Sequence, residues 1–177
     1  LLTSFLCSRS LQSVKAYEIG ALGVRGNHEF EVIRWHNALK SGMKPPAIGG
    51  EHYHIACALP RREMNWIKSC PWYMHCASLN TLFVHAGFVA GLKLSRQNPR
   101  LMMNMRSILP DGTATAKHFS NWPWARLWDG PETVIFGHDA DPNMAGTGTC
   151  LATTPTAQCR RSARTRRHAH ARSHGMY

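Results

Sequence analysis

Thr81-Leu82-Phe83-Val84-His85-Ala86-Gly87 decides the fold: an apolar run bounded by polar Asn80 passes directly into a histidine and a glycine. A short continuous run of this kind reads as a strand buried on both faces. Thr133-Val134-Ile135-Phe136 repeats the pattern and runs into Gly137-His138-Asp139. A third version lies near the start, where Ala21-Leu22-Gly23-Val24 reads as a short strand and gives way to Arg25-Gly26-Asn27-His28-Glu29. Three times an apolar strand ends and a loop of Gly, Asn or His begins at its carboxyl end. In layered α/β folds ligands bind there, because strand ends aim loop side chains into one crevice.

Helical spacing fills the intervals. Leu11, Val14, Ala16 and Ile19 predict a helix over Leu11 to Ile19, stopped by Gly20. Val32, Trp35 and Leu39 share one side of a helix expected over Glu31 to Lys40. Ser41 to Gly50, with two Pro and three Gly, reads as a loop. Pro60-Arg61-Arg62-Glu63 opens another helix through Met64, Trp66 and Ile67, which stops near Pro71. From Pro142 the character changes. Residues 143–177 are rich in Ala, Thr, Arg and His, and Leu151, Met176 and Tyr177 are nearly all the large apolar residues after Met144. The expected division is a globular α/β body over 8–141 and a basic, non-globular tail over 142–177.

The 177 residues suffice for one domain with a real core, and 44% hydrophobic against 18% charged residues excludes a disordered chain. No run approaches the eighteen or so apolar residues of a transmembrane helix. Leu1 to Leu6 lacks the basic flank and the length of a secretory signal. The formal charge of +11 is uneven: up to Cys150 there are 15 Lys/Arg against 10 Asp/Glu, and the last 27 residues add 6 Arg and no acid. The body is thus mildly basic, which suits phosphate-bearing ligands without demanding nucleic acid. Six cysteines, at 7, 57, 70, 76, 150 and 159, form no C-x-x-C pair. They read as reduced thiols of a cytoplasmic protein, expected to be a monomer, rather than as a zinc site or disulfide scaffold.

The chemistry rests on Asn27, His85 and His138. Neutral imidazoles and an amide oxygen suit a divalent ion such as manganese, iron or zinc. His28, beside Asn27, has the chemistry of a general acid. Other candidates read blandly. His52 and His54 flank Tyr53 after a Gly-rich stretch and are expected to be solvated loop residues. His168, His170 and His174 lie in the Arg-rich tail. Trp66, Trp72, Trp122, Trp124 and Trp128 are expected in the core or the cleft wall. Arg25 is read as structural.

Gly26-Asn27-His28-Glu29, Val84-His85-Ala86-Gly87 and Phe136-Gly137-His138-Asp139, in this order, resemble motifs of the calcineurin-like metallophosphoesterases, and more narrowly of the phosphoprotein-phosphatase branch. Met102-Met103-Asn104-Met105-Arg106 and Trp124-Ala125-Arg126-Leu127-Trp128-Asp129-Gly130-Pro131 are similar to stretches of its ApaH-like phosphatases. The resemblance implies a sandwich of two mixed β-sheets flanked by helices, and metal-assisted hydrolysis of phosphate esters or phosphoanhydrides at a dinuclear site. It implies that Asn27, His85 and His138 hold a metal, that His28 protonates the leaving oxygen, and that Arg106 contacts phosphate. Substrates of the subfamily include dinucleoside polyphosphates, polyphosphate, capped RNA ends and phosphoproteins.

The departures carry expectations of their own. The family's two N-terminal Asp motifs are not present, and the first aspartate of the chain is Asp111. The domain is therefore expected to be incomplete at its N-terminus, to hold at most one ion and to be almost inactive as given. A non-catalytic remnant that keeps half a metal site, and a basic nucleic-acid binder acting through the tail, are the rival readings.

Overall fold

The computed structural model describes residues 16–43 and 50–138, together with the backbone of 150–152. The parts of the expected first helix before residue 16, of the 41–50 loop, and most of the tail fall outside these residues.

Residues 16–18 form a helical turn, and Gly20 (φ +65°) ends it as expected. The next segment corrects the sequence reading. Ala21 to Val24 runs extended but forms no strand. Its ties are the Arg25 N–H to the Pro71 carbonyl at 2.8 Å and the Trp66 indole N–H to the Ala21 carbonyl at 3.2 Å. A single backbone bond is not a ladder, and Leu22 stands 85% exposed rather than buried in a sheet.

Helix α1, Asn27–Lys40, starts four residues earlier than its apolar spacing suggests. The cause is local. The Glu29 carboxylate reaches back to accept the Gly26 N–H at 3.0 Å, which satisfies an otherwise orphaned donor at the helix start. Asn27 and His28 therefore belong to the first helical turn and not to a loop. A second helix, α2, Glu51–Ala58, occupies the place read as solvated loop. It packs on α1, with the Trp35 and Tyr53 rings edge to face at 5.6 Å. Helix α3, Arg61–Ser69, is the one opened by Pro60. Val32, Ala56, Leu59, Met64 and Ile67 bury a small shared core between the three helices.

The main sheet has the order β1-β2-β5-β6. Strand β1, Tyr73–Cys76, pairs antiparallel with β2, Thr81–Val84. The turn between them passes through Asn80, held at φ +46°. The Asn80 side-chain amide donates to the Pro131 carbonyl at 2.7 Å and the Asn80 backbone carbonyl accepts Thr133 N–H at 3.0 Å. These bonds set the start of β5, Thr133–Phe136, beside the start of β2. The two strands run parallel in register, Thr81 opposite Thr133 and Phe83 opposite Ile135. They consequently end together, so the residues after Val84 and Phe136 emerge at one edge. Strand β6, Cys150–Ala152, pairs antiparallel with β5, so the segment expected to be non-globular contains one sheet strand. Between β2 and β5 lie α4, Pro99–Asn104, and a second, two-stranded sheet of β3, Ser107–Ile108, with β4, Ala114–Thr115.

Leu82, Val84, Val134 and Phe136 alternate along β2 and β5 and bury against Phe88, Met102, Met105, Trp124 and Trp128. The Met-rich and Trp-rich runs thus supply the core. Gly87 lies flat on Trp124: an added Cβ would stand 2.4 Å from its ring. No described helix is long and apolar enough to cross a membrane.

Candidate active site

The parallel pairing of β2 and β5 delivers His85 and His138 side by side. The His85 carbonyl accepts the N–H groups of both Gly137 and His138, at 3.1 and 2.9 Å. The first turn of α1 brings Asn27 to the same point. His85 Nε2 lies 2.8 Å from Asn27 Oδ1 and 3.0 Å from His138 Nδ1. The imidazole of His85 rests against the backbone of Gly26, where a Cβ would stand 2.6 Å from both His85 Nδ1 and Glu29 Oε2. Only glycine permits that approach.

One ring nitrogen carries at most one proton, so His85 Nε2 cannot donate fully to both neighbours. His85 Nε2 instead stands from each of the other two atoms at the spacing of adjacent ligands on one cation: right-angled bonds of about 2.1 Å separate donors by about 3.0 Å. The electrostatics agree. Burial, reinforced by the charge of Arg106 and by His85 and His28, lowers the His138 pKa to about 4. Burial also lowers that of His85, with Glu29 opposing and His28 and Arg106 adding to the shift. Both rings are therefore neutral near pH 7, the form that binds metal. The donor set fits a divalent transition ion, though without a negative ligand. Among the described residues no three His, Cys, Asp or Glu side chains gather at ligand spacing, and the convergent set is two imidazoles and one amide.

His28 leaves the same helical turn, is exposed, and bonds through Nδ1 to His52 Nε2 at 2.7 Å. Sequence reasoning missed His52. The available signal was Gly50 followed by an acidic residue, a helix-start pattern that puts His52 in the first turn of α2. Arg106 follows α4, opens the β3 hairpin, and donates from Nη1 to the Ala116 carbonyl at 2.9 Å. Its charge is near enough to act on both imidazoles. Arg25 is structural as read: it donates to the Lys68 carbonyl and stacks 4.5 Å over the Trp72 ring. Of the aspartates, Asp111 caps the hairpin turn and Asp129 accepts the Gly91 N–H, both away from the imidazoles' shared bonds. Asp139 and Asp141 lie outside the described residues.

No protein-family model matches the chain, and no curated protein is significantly similar to it. Among solved structures, the crystal structure of a proposed diadenosine tetraphosphatase is similar, with a TM-score of 0.59 and 24% sequence identity over 77% of this chain. The match spans 64% of that protein's length. The likeness is one of fold, a mixed α/β arrangement.

Proposed function

We propose that this chain carries a metal-dependent phosphoesterase domain, in which Asn27, His85 and His138 hold one divalent ion of manganese, iron or zinc. The observation that carries the reading is the meeting of Asn27 Oδ1 and His138 Nδ1 at His85 Nε2, within 2.8 and 3.0 Å. A bound ion would supply charge to polarise a phosphoryl oxygen and to acidify water. The chain's own groups do the rest. His28, exposed beside Asn27, gives its Nε2 proton to the departing oxygen as the ester P–O bond breaks, while water supplies the new P–O bond. Arg106 adds positive charge suited to phosphate. The substrate class is a phosphate ester or phosphoanhydride, with dinucleoside polyphosphates favoured by the name of the structural neighbour.

No aspartate precedes Asp111, so the family's two N-terminal Asp motifs have no counterpart in this sequence, and turnover is expected to be slow. Hydrolysis of p-nitrophenyl phosphate and of a dinucleoside tetraphosphate with added manganese tests this. Slow, manganese-dependent release of phosphate, lost in His28→Ala and His138→Ala, supports it. No manganese-dependent release at all favours a non-catalytic remnant. Rapid turnover lost in both variants contradicts the one-ion site.

A further inference from the structure

We infer that His52 is a positioning residue for His28, holding its ring so that Nε2 is the nitrogen presented for proton transfer. The inference rests on the phosphoesterase reading and adds to it a residue from another helix. The two histidines occupy equivalent places: each is the second residue of its helix, α1 and α2, after a glycine. The packing of α1 on α2 brings these two first turns together, and the rings meet with centroids 5.0 Å apart and a 2.7 Å bond from His28 Nδ1 to His52 Nε2.

An exposed histidine in a helical first turn is otherwise free to rotate about two side-chain bonds. A bond at Nδ1 removes that freedom and leaves Nε2 without a hydrogen-bond partner among the described residues. The pair suits acid chemistry when His52 carries its proton on Nδ1 and accepts at Nε2. His28 in its cationic form then donates from Nδ1–H to His52 and keeps Nε2–H for the departing oxygen. The ring stays neutral and bonded after that proton leaves. His54, two residues on, is exposed and meets Tyr53 instead, so the role falls to one histidine of the pair.

Long-range proton–nitrogen spectra of histidine-labelled protein read the shared proton directly. The expected result is a proton on His28 Nδ1 and a bare His52 Nε2. In His52→Ala the two His28 nitrogens should move towards the averaged values of a ring exchanging tautomers. His52→Gln, whose amide oxygen can accept the same bond, should restore them. Unchanged His28 signals in His52→Ala, or a shared proton resident on His52 Nε2, would overturn the inference. The catalytic consequence is read on residual manganese-dependent turnover. His52→Ala should lower kcat for phenyl phosphate about tenfold with KM held, and p-nitrophenyl phosphate, whose leaving group needs less protonation, should lose less. Equal losses on both substrates, or a raised KM, would mark His52 as merely structural. Absence of turnover in the unaltered protein would sink the phosphoesterase reading and the catalytic use of the pair, while the spectra still decide whether His52 sets the His28 ring.

Discussion

The His85 carbonyl accepts the His138 N–H at 2.9 Å, while the Nε2 of the same residue meets His138 Nδ1 at 3.0 Å. Backbone and side chain of one residue thus hold both parts of another. The ends of two parallel strands are fixed before any ligand arrives, and the site inherits the rigidity of the sheet.

Gly26→Ala should disturb the site from beneath. The backbone conformation there, φ −101°, suits any residue. The obstacle is the new Cβ, 2.6 Å from His85 Nδ1 and from Glu29 Oε2. The imidazole or the carboxylate must give way, at a cost of about 1–3 kcal/mol. Denaturant unfolding should show that loss, and metal titration should show weaker binding. Unaltered values in both would mean that the His85 ring is not seated as described.

Gly87→Ala should be more damaging than Gly137→Ala, although both glycines adjoin a site histidine by one or two residues. A Cβ at Gly87 would enter the Trp124 ring at 2.4 Å, and Trp124 is fully enclosed by the core. A Cβ at Gly137 meets nothing within 4 Å. About 1–3 kcal/mol is expected for the first and about 0.5 kcal/mol or less for the second. Equal thermal midpoints for the two variants would contradict the packing.

Stability of the metal-free chain should rise with pH in the acid range. The folded His138 titrates near 4, and the ordinary imidazole value is 6.5. Between these values the unfolded chain binds more protons than the folded one, so acid favours unfolding and the gain is complete above the unfolded value. His85, lowered chiefly by burial, acts in the same direction. Urea unfolding from about pH 4.5 to about pH 7.5 should show this slope, reduced in His138→Asn. A flat profile in the unaltered chain would contradict the burial of the two rings.

The sequence made β2 and β5 legible because Thr81 to Val84 and Thr133 to Phe136 are unbroken apolar runs ending in glycine and histidine. From them came His85 and His138, while Asn27 came from the stretch after Ala21 to Val24, and the structure gathers all three. Helix α2 was not legible: eight residues with Glu51, His52 and His54 among them give too little apolar period to outweigh the glycines before them. Strand β1 is shorter still, at four residues, and contains His75 and Cys76. The contact of His28 with His52 needed both helices and their packing, since 24 residues separate the two rings. At Ala21 to Val24 the strand-like composition was real but no ladder partner lies beside it among the described residues, which local pattern cannot reveal.

The central claim is a one-ion site shared by Asn27, His85 and His138, and titration of the metal-free chain with manganese tests it most directly. Three neutral ligands hold a divalent ion weakly, because none of the three is itself a carboxylate. The account predicts at most one ion per chain, bound reversibly, with binding reduced in Asn27→Ala, His85→Ala and His138→Ala alike. Two tightly held ions, or binding unchanged in all three variants, would contradict it.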